Sequence, residues 1–286
     1  MFGTGTTEEF YANEFSTLNL NDKRLNNRAT QIGIALQKRP TSCIKRLFIE
    51  KKDMRQAYDF FCNPKVSGEA LLKAHYHETV LRARAVKSSY ILAIQDKTTL
   101  DFTTHKAKTE LGRIGGRGKN TNYGLFQHNT LLVTMDNEPL GLINIEHFDY
   151  DDYDLTIDHH KRPIEEKHTF NWITSSEKRR KRLGELAVPV ITVADRESDI
   201  FEFLHDLVKH NEDFVVRAQH DRFTGEHYSK YAEKLFSLFE KESDLGVITT
   251  HINDVNTHEI REIILHLKSL KAVSLWSCPC KTGQLS

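Results

Sequence analysis

The chain has 286 residues, with 40 Lys and Arg against 40 Asp and Glu, so its formal net charge is zero. That length suggests one large domain or two smaller ones, with ample room for a buried core, and the 38 % hydrophobic, 28 % charged composition is that of an ordinary globular protein. No apolar run approaches the ~18 residues of a membrane helix, and residues 1–10 lack the basic and apolar regions of a secretion signal. Four scattered cysteines (Cys43, Cys62, Cys278, Cys280) are too few for a disulfide framework, which places the chain in the reducing cytoplasm.

A net charge of zero argues against a nucleic-acid partner only if the charge is evenly spread, and here it is blocky. Residues 21–55 hold ten Lys and Arg against three Asp and Glu. Residues 103–124 add Lys106, Lys108, Arg113, Arg117 and Lys119 against Glu110 alone. Residues 136–154 carry seven carboxylates and no Lys or Arg, and a second basic cluster spans residues 178–182. Basic patches suit phosphate backbones, although such runs are also what solvated helix faces look like.

In chain order, residues 21–38 read as a helix capped by Asn21 or Asp22, with Leu25, Ala29, Ile32 and Leu36 as its apolar stripe and Pro40 as its stop. A second helical pattern passes through Met54, Ala57, Tyr58 and Phe61 and ends at Asn63-Pro64, and a third starts at Ser67, a good N-cap, and runs to about Ala85. The pattern then changes. Tyr90-Ile-Leu-Ala-Ile94 is an apolar run of the kind that forms a strand covered on both faces, and residues 111–124, rich in glycine and basic side chains, read as a loop. Strand patterns at residues 128–135 and 140–147 flank Asp136-Asn-Glu138, which suits a hairpin turn. A helix over 165–182, a buried strand over 188–194, an amphipathic helix over 199–210 and a strand over 214–218 follow, then a helical pattern over 230–241 and alternating strands over 247–251 and 260–268. Three strands joined by short links, followed by strands reached through helices, form a mixed α/β sheet behind an all-helical, basic front.

Asp96 and Asp195 occupy similar places, each closing an apolar strand in Ile94-Gln-Asp96 and Val193-Ala-Asp195. An Asp in that position caps a turn or meets a cation. If the two strands are neighbours the carboxylates converge, and a hard divalent cation such as Mg²⁺ then relieves their repulsion and can polarise a phosphodiester for in-line attack.

Several segments then occur in one order: Ile94-Gln-Asp-Lys-Thr-Thr99, Gly141-Leu142, Arg162-Pro-Ile-Glu-Glu-Lys167, Val193-Ala-Asp-Arg-Glu-Ser-Asp199 and Phe214-Val-Val-Arg-Ala218. Together they resemble the DDE transposases of bacterial insertion sequences, in the insertion-sequence-four family and the branch of the transposon-five transposase. Leu20-Asn-Asp-Lys-Arg24 through Arg28, with Ala57-Tyr-Asp-Phe-Phe-Cys-Asn-Pro64, resembles that branch's small helical DNA-binding domain. The resemblance implies a helical DNA-binding domain over 1–70 and a ribonuclease H-like catalytic core over 71–225, with 226–286 as the start of a β-rich insertion and an aberrant tail. It further implies catalytic, metal-holding roles for Asp96 and Asp195, a two-ion site for Mg²⁺ or Mn²⁺, and cleavage and transfer of DNA strands at terminal inverted repeats. Double-stranded DNA is the implied partner, a homodimer on DNA stays open, and no membrane is involved. Arg24 and Arg28 fall in the DNA-binding motif, and Arg217 matches a family arginine that holds DNA near the active site; each also has a plain phosphate-neutralising rationale.

The family's third carboxylate follows a tyrosine and an arginine three residues apart, and no tyrosine here is followed by such an arginine. Residues 271–286, which include Trp276-Ser-Cys-Pro-Cys280-Lys-Thr-Gly, have no helical period. The expectation is therefore a chain truncated or frameshifted before the catalytic Glu, with a catalytically defective transposase or a non-catalytic DNA-binding remnant or inhibitor as the two readings. Glu259 and Glu262 sit in a strand pattern and are not promoted to that role. Cys278 and Cys280 lack a second pair at a zinc-like interval, and His159-His160 reads as a polar loop pair. The glycines at 112, 115, 116 and 118 follow a loop and are no nucleotide fingerprint; with Arg113, Arg117 and Lys119 they form either a DNA-contacting loop or a plain surface loop.

Overall fold

The computed structural model describes residues 7–40, 43–105, 107–116, 118–150, 161–224, 233–253, 259–268 and 275–276. Lys106, Arg117, His159, His160, Cys278, Cys280 and the 277–286 tail, all singled out in the sequence, lie outside them. Among the described residues no helix is long and apolar enough to cross a membrane.

The front of the chain is helical: α1 (Thr7–Glu14), α2 (Lys23–Lys38), the short α3 (Ile44–Leu47), α4 (Lys51–Phe61) and α5 (Gly68–Arg84). The sequence places the start of α2 at residue 21, but Asn21 takes a left-handed φ of 57° and Asp22 caps, accepting from the Arg24 N–H at 2.9 Å. Ser67 caps α5 by accepting from the Ala70 N–H at 3.0 Å. Leu18, Leu20, Ala29, Ile32, Ala57 and Phe60 meet in one apolar cluster that reaches Ala74 on α5.

Behind it lies a mixed sheet of β1 (Ile91–Asp101), β2 (Gly112–Gly115), β3 (Asn122–Thr134), β4 (Pro139–Phe148), β5 (Val190–Ala194) and β6 (Asp213–Val216). Reading across, β4 pairs β3, β3 pairs β1, β1 pairs β5 and β5 pairs β6. The first three are antiparallel, and β5 and β6 run parallel to β1. Gly124 pairs with both Asp101 and Gly112, so β2 lies on the side of β3 away from β1. The expected loop over 111–124 therefore contains a strand. The expected helix over 165–182 is α6 (Phe170–Leu183), because residues 164–166 form a separate 3-10 turn closed by the Lys167 N–H donating to the Ile164 carbonyl at 2.9 Å.

Alternation along the strands sends Ile91, Ala93, Gln95 and the even-numbered residues of β3 toward the helices. The cover on that face comes from α5, α6 and α7 (Phe201–Lys209), through Ala83, Leu183, Trp172, Phe203 and Leu207. Polar side chains bond one another there: the Gln95 amide donates to Ser176 Oγ at 2.7 Å, Asn144 Nδ2 donates to Ser175 Oγ at 2.9 Å, and the Thr130 and Ser175 hydroxyls are hydrogen-bonded at 2.8 Å. His128 Nε2 donates to Gln95 Oε1 at 3.1 Å.

Helix α5 docks on β4 through side chains that meet strand backbone. Arg82 Nε donates to the Leu140 carbonyl at 2.5 Å, the Leu142 N–H donates to His75 Nε2 at 3.0 Å, and the Ile145 N–H donates to Tyr76 Oη at 2.9 Å. Gly141 permits this approach: its φ is +134°, and a Cβ there would lie 2.4 Å from Thr79 Oγ1. Glu14 of α1, buried, joins the same cluster by accepting from Arg82 Nη1 at 2.7 Å and from His75. Burial alone would raise its pKa, but the hydrogen bonds from His75 and Arg82 outweigh it and hold the carboxyl below the usual range.

Beyond the sheet, β7 (Phe223–Thr224), β8 (Glu233–Lys234) and β11 (Leu275–Trp276) form a small sheet, with α8 (Leu235–Lys241) after β8. Strands β9 (Gly246–Asn253) and β10 (Ile260–Leu267) pair as an antiparallel hairpin.

Two predictions follow from buried charge and buried imidazole. Arg179 of α6 is almost fully buried and pairs with Glu212, to which Arg180 also donates at 2.9 Å while reaching Asp206 of α7 at 2.9 Å. Glu212→Gln strips Arg179 of its counter-charge and is expected to lower stability by about 3–5 kcal/mol in urea unfolding. Burial pushes the His128 imidazole down to about 4 from its ordinary 6.5. The unfolded chain then binds more protons than the folded one across that window, so stability is expected to fall as pH drops from about 6.5 to about 4, by about 3 kcal/mol. His128→Gln should shrink that drop, read as denaturation midpoints against pH.

Candidate nucleic-acid interface

The parallel register between β1 and β5 ends at Gln95↔Ala194, and the next residues on the two strands are Asp96 and Asp195. Adjacent strands lie roughly 4.8 Å apart, so the backbone brings the two aspartates side by side, and both are exposed. Ile94 pairs with Leu131 and with Val193, which puts the Asp96 position on the sheet face away from α6.

The sequence has Asp96 closing its strand; the structure corrects this. Strand β1 continues to Asp101 because β3 keeps pairing with it, from Asp96↔Asn129 to Asp101↔Gly124. Strand β5 does stop, since Asp195 turns to cap a 3-10 turn over Arg196–Ser198, its Oδ1 accepting from the Glu197 N–H at 2.9 Å. Asp96 thus stands in mid-strand, at the point where its parallel neighbour departs.

Arg217 joins the same edge. Its backbone N–H donates to the Ala194 carbonyl at 3.2 Å, one step past the last β5–β6 pair, Ala194↔Val216, and the residue is exposed. The ends of β5 and β6 and the middle of β1 therefore gather Asp195, Arg217 and Asp96. Glu197, the acidic residue nearest Asp195 in sequence, is held by Lys97 at 2.7 Å, and that ammonium also lies 5.3 Å from the centre of the Phe126 ring.

Arg24 and Arg28 sit elsewhere, four residues apart on α2 and so on one face of it. Arg24 is 92 % exposed and pairs with its own cap, Asp22, at 3.1 Å; Arg28 is less exposed and reaches Asp53 of α4 at 3.6 Å. Lys45 and Arg46 of α3 and Lys51, Lys52 and Arg55 of α4 extend the basic surface.

Among the described residues no group of three or more His, Cys, Asp and Glu is arranged to hold a metal ion. What the edge offers a cation is two exposed carboxylates, a hard oxygen donor set of the kind Mg²⁺ accepts when water and substrate phosphate complete its shell. Cys43 and Cys62 are free and exposed.

One functional-looking residue escaped the sequence. Asp199 is buried, and its carboxylate accepts from the Gln219 N–H at 2.6 Å and the His220 N–H at 2.8 Å and pairs with Arg222. Burial would raise its pKa, but the amide bonds and the Arg222 guanidinium together hold it below the ordinary range. The Asp195/Asp199 spacing was visible; the partners some twenty residues on were not.

Comparison with known proteins gives two findings. Residues 7–66, the basic helical front, match the family model described as Transposase DNA-binding. Among solved structures, the chain is similar to a cryo-EM structure of piggyBac transposase in a synaptic complex with hairpin DNA, at 9 % identity and a TM-score of 0.34 over 92 % of this chain and 53 % of that one. The chain thus spans about half the length of the solved protein it matches. The front of this protein carries the sequence pattern of a transposase DNA-binding domain.

Proposed function

We propose that this chain is a DNA-binding transposase of the DDE type, resembling the insertion-sequence-four family, with its front gripping duplex DNA and its sheet edge presenting a metal-holding Asp pair to a phosphodiester. The observation that carries the reading is the conjunction of two independent ones: the DNA-binding match over residues 7–66 and the register that brings Asp96 beside Asp195. The strand order, an antiparallel β4-β3-β1 meander followed by parallel β5 and β6, is the order a ribonuclease H-like core requires, which supports that fold for residues 71–225.

In this reading Arg24 and Arg28 neutralise phosphates and fix the register of the protein on a transposon end. Asp96 and Asp195 would hold Mg²⁺ or Mn²⁺ ions, which when bound polarise the scissile phosphate and lower the pKa of an attacking water. Arg217, at the end of β6, supplies positive charge to the strand that passes this edge. Asp96 stands on a strand fixed by pairing with β3, and Asp195 follows directly on the last paired residue of β5 and caps the next turn, so both positions are set before DNA arrives. A homodimer bridging two ends is compatible with this use.

A second reading is a DNA-binding protein that does not cut, occupying ends or inhibiting a full-length transposase. It is favoured by the engagement of Glu197 with Lys97, which occupies the carboxylate two residues after Asp195.

Two measurements separate them. With Mg²⁺ or Mn²⁺ and supercoiled plasmid carrying the element's ends, the first reading expects nicking that Asp96→Asn or Asp195→Asn abolishes; binding to those ends with no nicking by the unmodified chain identifies the second. Arg24→Ala and Arg28→Ala are each expected to weaken duplex binding and to lower the slope of log affinity against log salt by about 1, with the aspartate variants unchanged in that titration.

A further inference from the structure

We infer that Asp199 is a positioning residue that fixes Arg217 beside the Asp96–Asp195 edge; the inference rests on the nucleic-acid reading of Arg217 given above.

Strand β6 ends at Val216, and residues 217–222 beyond it belong to no strand. With no ladder to hold it, that segment takes its shape from a few discrete bonds. One is the Arg217 N–H to the Ala194 carbonyl. The far end is tied to α8, where the Leu235 N–H donates to the Arg222 carbonyl at 2.8 Å and the Phe236 N–H to Asp221 Oδ1 at 2.9 Å. Between these ends the bonds converge on Asp199: Gln219 and His220 donate their N–H groups to Oδ2, Arg222 pairs with Oδ1, and Arg222 Nη2 donates to the Asp199 carbonyl at 2.7 Å. The guanidinium thus grips both the side chain and the backbone of one residue.

Asp199 is in turn fixed to Asp195. The Ser198 N–H and hydroxyl both donate to the Asp195 carbonyl, at 3.2 and 2.6 Å, and the Asp199 N–H donates to the Arg196 carbonyl at 3.2 Å. A short, internally bonded turn therefore joins the carboxylate at the strand end to the carboxylate that sets the neighbouring segment. A buried charge is retained at a cost unless its donors are in place, and here three are. The arrangement exceeds what capping the 3-10 turn needs, since Asp195 already caps it. Its consequence is that Arg217 enters from a backbone held at both ends, by Ala194 before it and by Asp199 two residues after it.

Asp199→Asn keeps the shape of the side chain but loses its charge, and its amide can no longer accept two backbone N–H bonds and a guanidinium at once. The test uses the full chain with Arg24→Ala and Arg28→Ala, so that the sheet edge contributes a larger share of the remaining affinity, and a fluorescent nicked DNA duplex of mixed sequence. In this background Arg217→Ala is expected to weaken binding by about three- to tenfold and to reduce the salt slope by about 1. Asp199→Asn is expected to weaken binding by the same factor, and the combination with Arg217→Ala to bind no more weakly than Arg217→Ala alone. Thermal unfolding of each variant confirms that the chain is folded; if Asp199→Asn is not, Arg222→Gln, which leaves both amide bonds in place, must weaken binding only when Arg217 is present. An unchanged affinity in Asp199→Asn, or a loss that adds to that of Arg217→Ala, overturns the inference while the reading of Arg217 stands. No effect of Arg217→Ala overturns that reading and the inference with it.

Discussion

The end of the parallel pairing between β1 and β5 is the constraint around which the site is arranged. Up to Gln95 and Ala194 the two strands share a ladder; one residue later β5 turns and β1 continues. Pairing with β3 keeps β1 straight through Asp96, and the cap that Asp195 provides for the following turn bends β5 away. Two like charges are thus brought together by hydrogen bonds that have nothing to do with charge. Their mutual repulsion is opposed by backbone structure, so the cost is carried by the sheet and the pair is available to a cation.

The front helices are not an independent appendage. Glu14 of α1, His75 and Arg82 of α5 and the backbone of β4 form a continuous set of bonds from the first helix of the front to the sheet. Because the Glu14 carboxylate is buried with two partners, loosening the front from the sheet would strand a charge. Placement of α1 and α5 against β4 is therefore specified by chemistry as well as by apolar area.

Most of the architecture was legible in the sequence. The period of α2, α4 and α5, their Asp22 and Ser67 caps, and the apolar runs of β1 and β5 all carry local signals. The adjacency of Asp96 and Asp195 could be read only conditionally, since parallel strands separated by a hundred residues declare no register in sequence. Two misreadings and one omission have physical causes. Glycine and basic residues over 111–124 masked β2, which is held by pairing with β3 and not by propensity. The length of β1 past Asp96 depends on β3, invisible from β1 itself. The roles of Asp199, His128 and Glu14 arise from partners distant in the chain, so no spacing announces them.

One further consequence lies in how α5 meets β4. The Leu140 carbonyl and the Leu142 and Ile145 N–H groups, which an outer strand would otherwise offer to another chain, are already taken by Arg82, His75 and Tyr76. Strand β4 cannot recruit a further strand without first displacing a helix. Among the described residues the opposite border is β6, short and with Val215 exposed, so that border, which carries Arg217, lacks the helix that closes β4.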